Sequence, residues 1–270
     1  MILLRAALLA FVTIISVAAA ETSAPAAPAA PVILLKLDDL AWDPKNPEAA
    51  VSGRWQKVTA YLEDKHLKAS YGILCESLAS DHPAYLAWLK ERQTKGLIEL
   101  WNHGYEFNFK ADAASGKKGA FEGTSLDEQR NALSKGQELF HAKIGGEMHA
   151  FGPHVCHTDA TTYAALESIP EITMVWFYGP PKGVTSSKFL FKRTINLESP
   201  IFVPNPTEVK AKYEQSGKSL PYIAMQGHPN QWNDERFKGF TDTVDYLIAQ
   251  GCTFASPSEY VAGQKKPQAK

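Results

Sequence analysis

The chain has 270 residues, 44% of them hydrophobic, which is length enough for one large domain or two small ones around a substantial core. Its formal net charge is −1 at pH 7 and it has no long basic run, which argues against binding to nucleic acid or to an anionic membrane by bulk charge. Its three cysteines, Cys75, Cys156 and Cys252, include no CxxC pair, which argues against a cysteine zinc site. The odd count leaves at least one thiol outside any intramolecular disulfide, and Cys75 and Cys252 are expected as small buried hydrophobes.

Residues 1–20 read as a secretory signal peptide: Arg5 supplies a positive start, an apolar stretch runs from Ala6 to Val17, and Ala18, Ala19 and Ala20 suit a signal peptidase. The apolar run is short for a membrane span, so cleavage and export, to the periplasm or the medium, are expected, with no stable span afterwards. Residues 21–31 (ETSAPAAPAAP) form an extended Ala/Pro linker. The folded domain is expected over 32–262, with a polar tail at 263–270.

Within that domain short apolar runs alternate with amphipathic stretches. Strands are predicted at 32–37 (VILLKL), 69–74, 97–101, 147–151, 173–178, 189–197, 222–226 and 252–254. Helices are predicted at 54–67, where Trp55, Val58, Tyr61 and Leu62 recur at helical spacing, and at 82–94, 125–142, 160–168 and 234–249. Ser125 followed by Glu128 is a capping-box pattern. Residues 109–123 are a polar loop of a length that is usually functional or mobile. The alternation predicts one α/β domain with a mostly parallel sheet, either a barrel or an open doubly wound sheet, and both place ligands at the carboxyl ends of the strands.

That rule singles out the residues that follow each apolar run. Asp38 and Asp39 follow the first; adjacent carboxylates in extended chain point in different directions, and their repulsion calls for a cation or hydrogen bonds. The plainer reading of the pair is a turn or a helix cap. Asn102, His103 and Gly104 follow the third run, Pro153 and His154 the fourth, and Gly227, His228 and Pro229 the seventh.

Taken together and in order, KLDDL (36–40), WNHGYEF (101–107), FGPHVCHTD (151–159), MVWFYG (174–179) and QGHPNQW (226–232) resemble the sequence blocks of NodB-type polysaccharide deacetylases, carbohydrate esterase family four. The resemblance implies a distorted (β/α) barrel, a divalent metal (zinc expected, with manganese or cobalt as alternatives) and removal of acetyl groups from an acetylated polysaccharide or oligosaccharide, N-acetyl sugars favoured. Carried over by residue, it implies Asp38 as general base, Asp39 and His103 as metal ligands and His228 as general acid. Such a metal keeps a water position open, lowers the pKa of that water and polarises the amide carbonyl.

The family's second block usually has two histidines four residues apart, and here the second position is Phe107. Asn108 is the favoured replacement ligand, with Glu106, His154 and His157 as alternatives. His154, Trp176, Tyr178 and Trp232 are expected to bind substrate, and Trp42 stands near the same rim; rings of this kind stack on sugars, although Trp176 reads equally well as core. Two further functions stay open: a catalytically inactive barrel that binds glycans, and a hydrolase of a non-sugar amide.

Overall fold

The computed structural model describes residues 30–43, 45–106 and 119–264, without the side chain of Cys156. The predicted signal peptide, Phe107 and Asn108 lie outside the described residues.

Eight strands form one sheet: β1 Val32–Leu40, β2 Ala69–Ile73, β3 Ile98–Asn102, β4 Ala150–Phe151, β5 Met174–Trp176, β6 Phe189–Phe191, β7 Tyr222–Gly227 and β8 Thr253–Phe254. The pairings are parallel, in the order β6-β5-β4-β3-β2-β1-β7, and β8 also pairs with β1. A parallel bridge between Arg193, just past β6, and Ala224 of β7 joins the two ends of that order. The sheet therefore curls into a distorted (β/α) barrel.

Strand β1 shows why. Its alternate residues Ile33, Leu35 and Leu37 pack outward with Trp55, Val58 and Leu62 of α1 (Gly53–Asp64) and with Phe240, Val244 and Leu247 of α6 (Asp234–Ala249). Leu34, on the opposite face, packs with Trp101, Ala150, Met174, Trp176 and Phe191 from the neighbouring strands. A strand covered on both faces reads as a continuous apolar run, and each large side chain buried this way contributes roughly 1.5–3 kcal/mol. Lys36 and Asp38 follow Leu34 at the strand period of two, so they share its inner face. A third cluster, including Phe121, Leu133, Phe151 and Tyr163, lies against α3 (Leu126–Lys143) and α4 (Ala160–Glu167).

The local punctuation agrees with the elements. Ser125 caps α3 in a complete capping box with Glu128. Helix α2 (Pro83–Lys95) starts on a proline and stops at Gly96, whose φ of 67° is the left-handed conformation that glycine adopts without strain. Asn233 caps α6. Along this stretch the predicted and observed helices coincide.

Four differences from the sequence reading affect the site or its frame. Strand β1 runs to Leu40, so Asp38 and Asp39 lie inside the strand rather than after it; pairing with β2 slips between Leu37 and Leu40, and Asp39 takes a φ of 67°. This bulge re-aims a side chain in the way bulges beside active sites do. The predicted strand at 189–197 stops at Phe191. Helices α5 (Pro206–Gln215) and α7 (Pro257–Gln264) were not predicted. Among the described residues no helix is long and apolar enough to cross a membrane.

Candidate active site

Asp38 is fully buried, and its charge is compensated from its own strand. Lys36 Nζ donates to Asp38 Oδ1 at 2.6 Å and Oδ2 at 2.5 Å, and Gln226 Nε2 donates to Oδ2 at 2.6 Å. Lys36 is itself buried, with its ammonium 4.6 Å from the centre of the Trp101 ring and 5.5 Å from that of Phe177. A buried carboxylate is tolerable only when paired and hydrogen-bonded in this way. Gln226 is oriented by Arg193, whose guanidinium donates to Gln226 Oε1 and to the Tyr178 hydroxyl, the latter at 3.3 Å, and lies 4.6 Å over the Phe177 ring. With its oxygen facing Arg193, the amide must turn its NH2 toward Asp38.

His103 follows directly after β3, and its Nδ1 is 2.7 Å from the Gly152 carbonyl. A carbonyl only accepts, so Nδ1 carries the proton and Nε2 faces the aspartates, 3.2 Å from Asp39 Oδ1 and 3.6 Å from Asp38 Oδ2. A ring nitrogen and a carboxylate oxygen at 3.2 Å need a positive charge between them, either a proton or a metal cation. Burial works against the ionised form of Asp39, but the His103 hydrogen bond and the nearby charges of His103, His228 and His154 outweigh it and hold the carboxyl well below the usual carboxylate range.

His228 follows directly after β7, on the opposite side of Asp38, with Nε2 3.9 Å from Asp38 Oδ2. Its Nδ1 is 2.7 Å from Glu198 Oε2, and its backbone N–H donates to Glu198 Oε1 at 2.8 Å. Glu198 also accepts from Trp232 Nε1 at 2.8 Å and from the Phe202 backbone at 2.9 Å. Burial disfavours the imidazolium of His228, but Glu198, Asp38 and Asp39 outweigh burial and raise its pKa above the ordinary histidine value.

His154 opens a short 3-10 turn, His154–Cys156, after β4. Its Nε2 is 3.8 Å from Asp39 Oδ1, and its ring is 5.5 Å from that of His103, edge to face. Burial first, and then the charge of His103, push its pKa below the ordinary value against the pull of Asp39 and Asp38. His157 is paired instead with Glu122, at 3.1 Å.

Five non-glycine residues among those described have positive φ: Asp39, His66, Val155, Phe177 and Phe202. All but His66 border this cluster. Phe177 lies beside Lys36 and Arg193, Phe202 packs edge-on to His228 with centroids 4.9 Å apart, and Val155 follows His154. Such conformations cost of order 1–3 kcal/mol each and concentrate at functional sites.

The aromatic residues expected to stack on sugars divide. Trp176 is fully buried and stacked on Phe191 at 4.5 Å, so its expected role in substrate binding is corrected to core packing. Trp232 is 2% exposed, stacked on Phe240 and bound to Glu198; it supports the His228 side of the site and lines the groove beside the aspartates. Tyr178 remains half-buried at the rim. Beside the aspartates, a groove of about 740 Å³ is lined by Trp42, Arg54, Lys57, Asn230 and Phe237 among others. Asn230 links it to the site by donating to the Asp39 carbonyl at 3.2 Å.

The donor chemistry suits a divalent cation: one carboxylate oxygen and one imidazole nitrogen with its tautomer fixed from behind by a carbonyl, the usual support of a metal-bound histidine. Among the described residues no group of three or more His, Cys, Asp or Glu is placed so that it could hold a metal ion. The expected ligand Asn108 lies outside the described residues.

No family model matches the chain, and no curated protein matches it. Solved structures do. The Xyl-CE4 domain of a multidomain xylanase from the hindgut metagenome of Trinervitermes trinervoides superposes with a TM-score of 0.58 at 14% identity, over 89% of this chain and 95% of that one. A family 4 acetyl xylan esterase from Clostridium thermocellum, solved with a cobalt ion, gives 0.58 at 14% identity, over 87% and 93%. A pseudoenzyme of the CE4 family from Bacillus anthracis gives 0.56 at 14% identity, over 87% and 66%. The fold is that of the polysaccharide deacetylases. At this identity the likeness concerns the fold alone, and the same fold supports different chemistries through different residues.

Four residues of the cluster carried no role in the sequence reading. Lys36 is a charge inside an apolar run, two residues before Asp38 and so on its face. Glu198 is the first residue past the predicted strand at 189–197, where the strand-end rule points. Gln226 lies within a quoted block without a role. Arg193 has no local signal, because its partners Tyr178 and Gln226 are distant in sequence.

Proposed function

We propose that the chain is a metal-dependent deacetylase of an extracytoplasmic glycan, with N-acetylated sugar as the favoured substrate. The observation that carries this reading is the approach of His103 Nε2 to Asp39 Oδ1 at 3.2 Å, between Asp38 on one side and His154 on the other. Asp39 and His103 would hold the metal. When bound, a divalent cation supplies Lewis acidity and a water of lowered pKa.

The protein's own groups do the proton work. Asp38 Oδ2 faces both His103 and His228, which supports its reading as the general base that takes a proton from the attacking water. Lys36 and Gln226 fix that carboxylate in one orientation. His228 is held through Nδ1 by Glu198, which leaves Nε2 as the nitrogen facing the site, and its raised pKa favours the imidazolium that delivers a proton to the leaving amine. The groove at Trp42 and Arg54 would hold neighbouring sugar units.

The test is acetate release from acetylated chito-oligomers, peptidoglycan fragments and acetylated xylan by the zinc-loaded protein. A second reading, a glycan-binding barrel without turnover, is favoured by the unfinished metal arrangement among the described residues. Glycan binding that survives both chelation and Asp38→Ala, without acetate release, would select it.

A further inference from the structure

We propose that the groove beside the aspartates binds a carboxylate-bearing sugar unit of the glycan, with Arg54 reading the carboxylate and Trp42 carrying the ring. The inference rests on the glycan reading above and names its substrate class: an acidic glycan rather than a neutral one.

The groove opens at the carboxyl ends of β1 and β7, where Trp42 lies just past β1 and Asn230 just past His228. Asn230 ties it to the site. Its Nδ2 donates to the Asp39 carbonyl at 3.2 Å, its Oδ1 accepts from the Ser52 hydroxyl at 2.7 Å, and its own carbonyl accepts from Arg54 Nη1. A sugar held against Arg54 is thereby held at a fixed place relative to Asp39.

The charges decide what the groove takes. Lys45, Arg54 and Lys57 line it, against Asp43 and Asp234. Lys57 pairs with Asp234 at 2.6 Å and covers the Phe237 ring at 4.6 Å. Asp43 lies beside Lys45 and accepts its backbone N–H at 3.0 Å. Arg54 is exposed, and its hydrogen bond among the described residues goes to a neutral carbonyl, so its charge has no carboxylate opposite. That bond uses Nη1 and leaves the Nε–Nη2 edge, which can hold a carboxylate by two parallel hydrogen bonds. One excess positive charge in the groove matches one carboxylate.

The platform is Trp42 rather than Phe237, whose ring lies under the Lys57 ammonium. Trp42 is half-buried and stacked on His82 at 4.0 Å, so one face of the indole is covered and the other is left to the groove. A large flat ring with little conformational freedom suits a sugar unit beside the guanidinium. A neutral glycan offers the Arg54 fork no charged acceptor, and the two substrate classes differ by that contact.

The test is calorimetric binding of three hexasaccharides to the purified protein, with chelator and with zinc. One alternates N-acetylglucosamine with glucuronic acid, the second is the same oligomer with its carboxyls reduced to alcohols, and the third is the neutral N-acetylglucosamine hexamer. The acidic oligomer is expected to bind about tenfold more tightly than its reduced form, the gain of one charged hydrogen-bonding contact. This comparison needs no variant to fold. Arg54→Gln should bring the two within about twofold of each other and leave the reduced form bound as before. Arg54→Lys should keep part of the preference, since an ammonium retains the charge and loses the fork. Lys45→Gln should keep the preference, and Trp42→Ala should weaken both oligomers alike. Equal binding of the acidic and reduced oligomers by the parent, a preference that persists in Arg54→Gln, or no binding of the acidic oligomer with either chelator or zinc, overturns the inference. Acetate release from the neutral hexamer with no acidic preference would leave the deacetylase reading standing and sink this one. An acidic preference that depends on Arg54, without acetate release from any of the three, would do the reverse.

Discussion

Glu198 Oε2 lies 2.7 Å from His228 Nδ1, and the other oxygen of the same carboxylate accepts the His228 backbone N–H at 2.8 Å. One buried carboxylate thus fixes both the ring and the main chain of the histidine assigned as general acid. With the Trp232 and Phe202 donors as well, this carboxylate has a full set of partners.

This pairing sets a pH dependence. An acid works while protonated, so activity should fall as pH rises through the His228 pKa, and that pKa lies above the ordinary value of about 6.5. Glu198→Gln removes the opposing charge and should move this alkaline limb of kcat to lower pH. It should also cost about 1–3 kcal/mol of stability, because the amide leaves buried donors poorly paired. Rate profiles between about pH 5 and 9 check this; a limb that stays in place in the variant would separate Glu198 from the acid.

Lys36 and Asp38 should behave as a unit in stability. Lys36→Met leaves a buried carboxylate without its cation and should cost about 3–5 kcal/mol. Adding Asp38→Leu removes the stranded charge and should recover much of that loss. Urea unfolding of the two single variants and the double variant measures the coupling. Additive costs would mean that the 2.5–2.6 Å contacts do not hold in solution.

Asp38 and Asp39 should fail differently. Asp39→Ala should lose metal, because it removes a ligand. Asp38→Asn should keep metal and lose turnover, since an amide takes up no proton at neutral pH. Metal content and acetate release of both variants decide this, and equal metal loss would overturn the division of roles.

Gly72 faces Trp101 so closely that an added Cβ would lie 2.4 Å from its ring. The ring is confined by Lys36 and Trp176. Gly72→Ala should therefore destabilise by about 1–3 kcal/mol through overpacking, and by displacing Trp101 it should disturb the Lys36–Asp38 pair, so that Tm and kcat fall together. An unchanged Tm would show that the barrel interior is looser than drawn.

Much of this arrangement was legible in the sequence where local chemistry agrees with tertiary demand. The Ser125–Glu128 cap and the helix at 234–249 are written in a few adjacent residues. Helix α5 is not: only Val209 and Tyr213 are buried along its length, too few for a periodic signal, and Asn205-Pro206 was the one available cue. Asp38, Asp39, His103 and His228 stood out because each follows an apolar run. Glu198 and Arg193 did not, because their meaning lies in His228 and Gln226, 30 and 33 residues away, which only the closing of the barrel brings near. Trp176, which read equally well as a sugar-stacking ring or as core, proves to be core: it lies in the block MVWFYG, yet the inner face of β5 buries it against Phe191.

The most direct test of the whole account is acetate release from the acetylated glycan panel by the purified protein, with the metal removed and then restored. The account predicts release with zinc or cobalt bound, loss on chelation and recovery on adding metal back. A protein that holds a full equivalent of metal and releases no acetate from any member of the panel would contradict it.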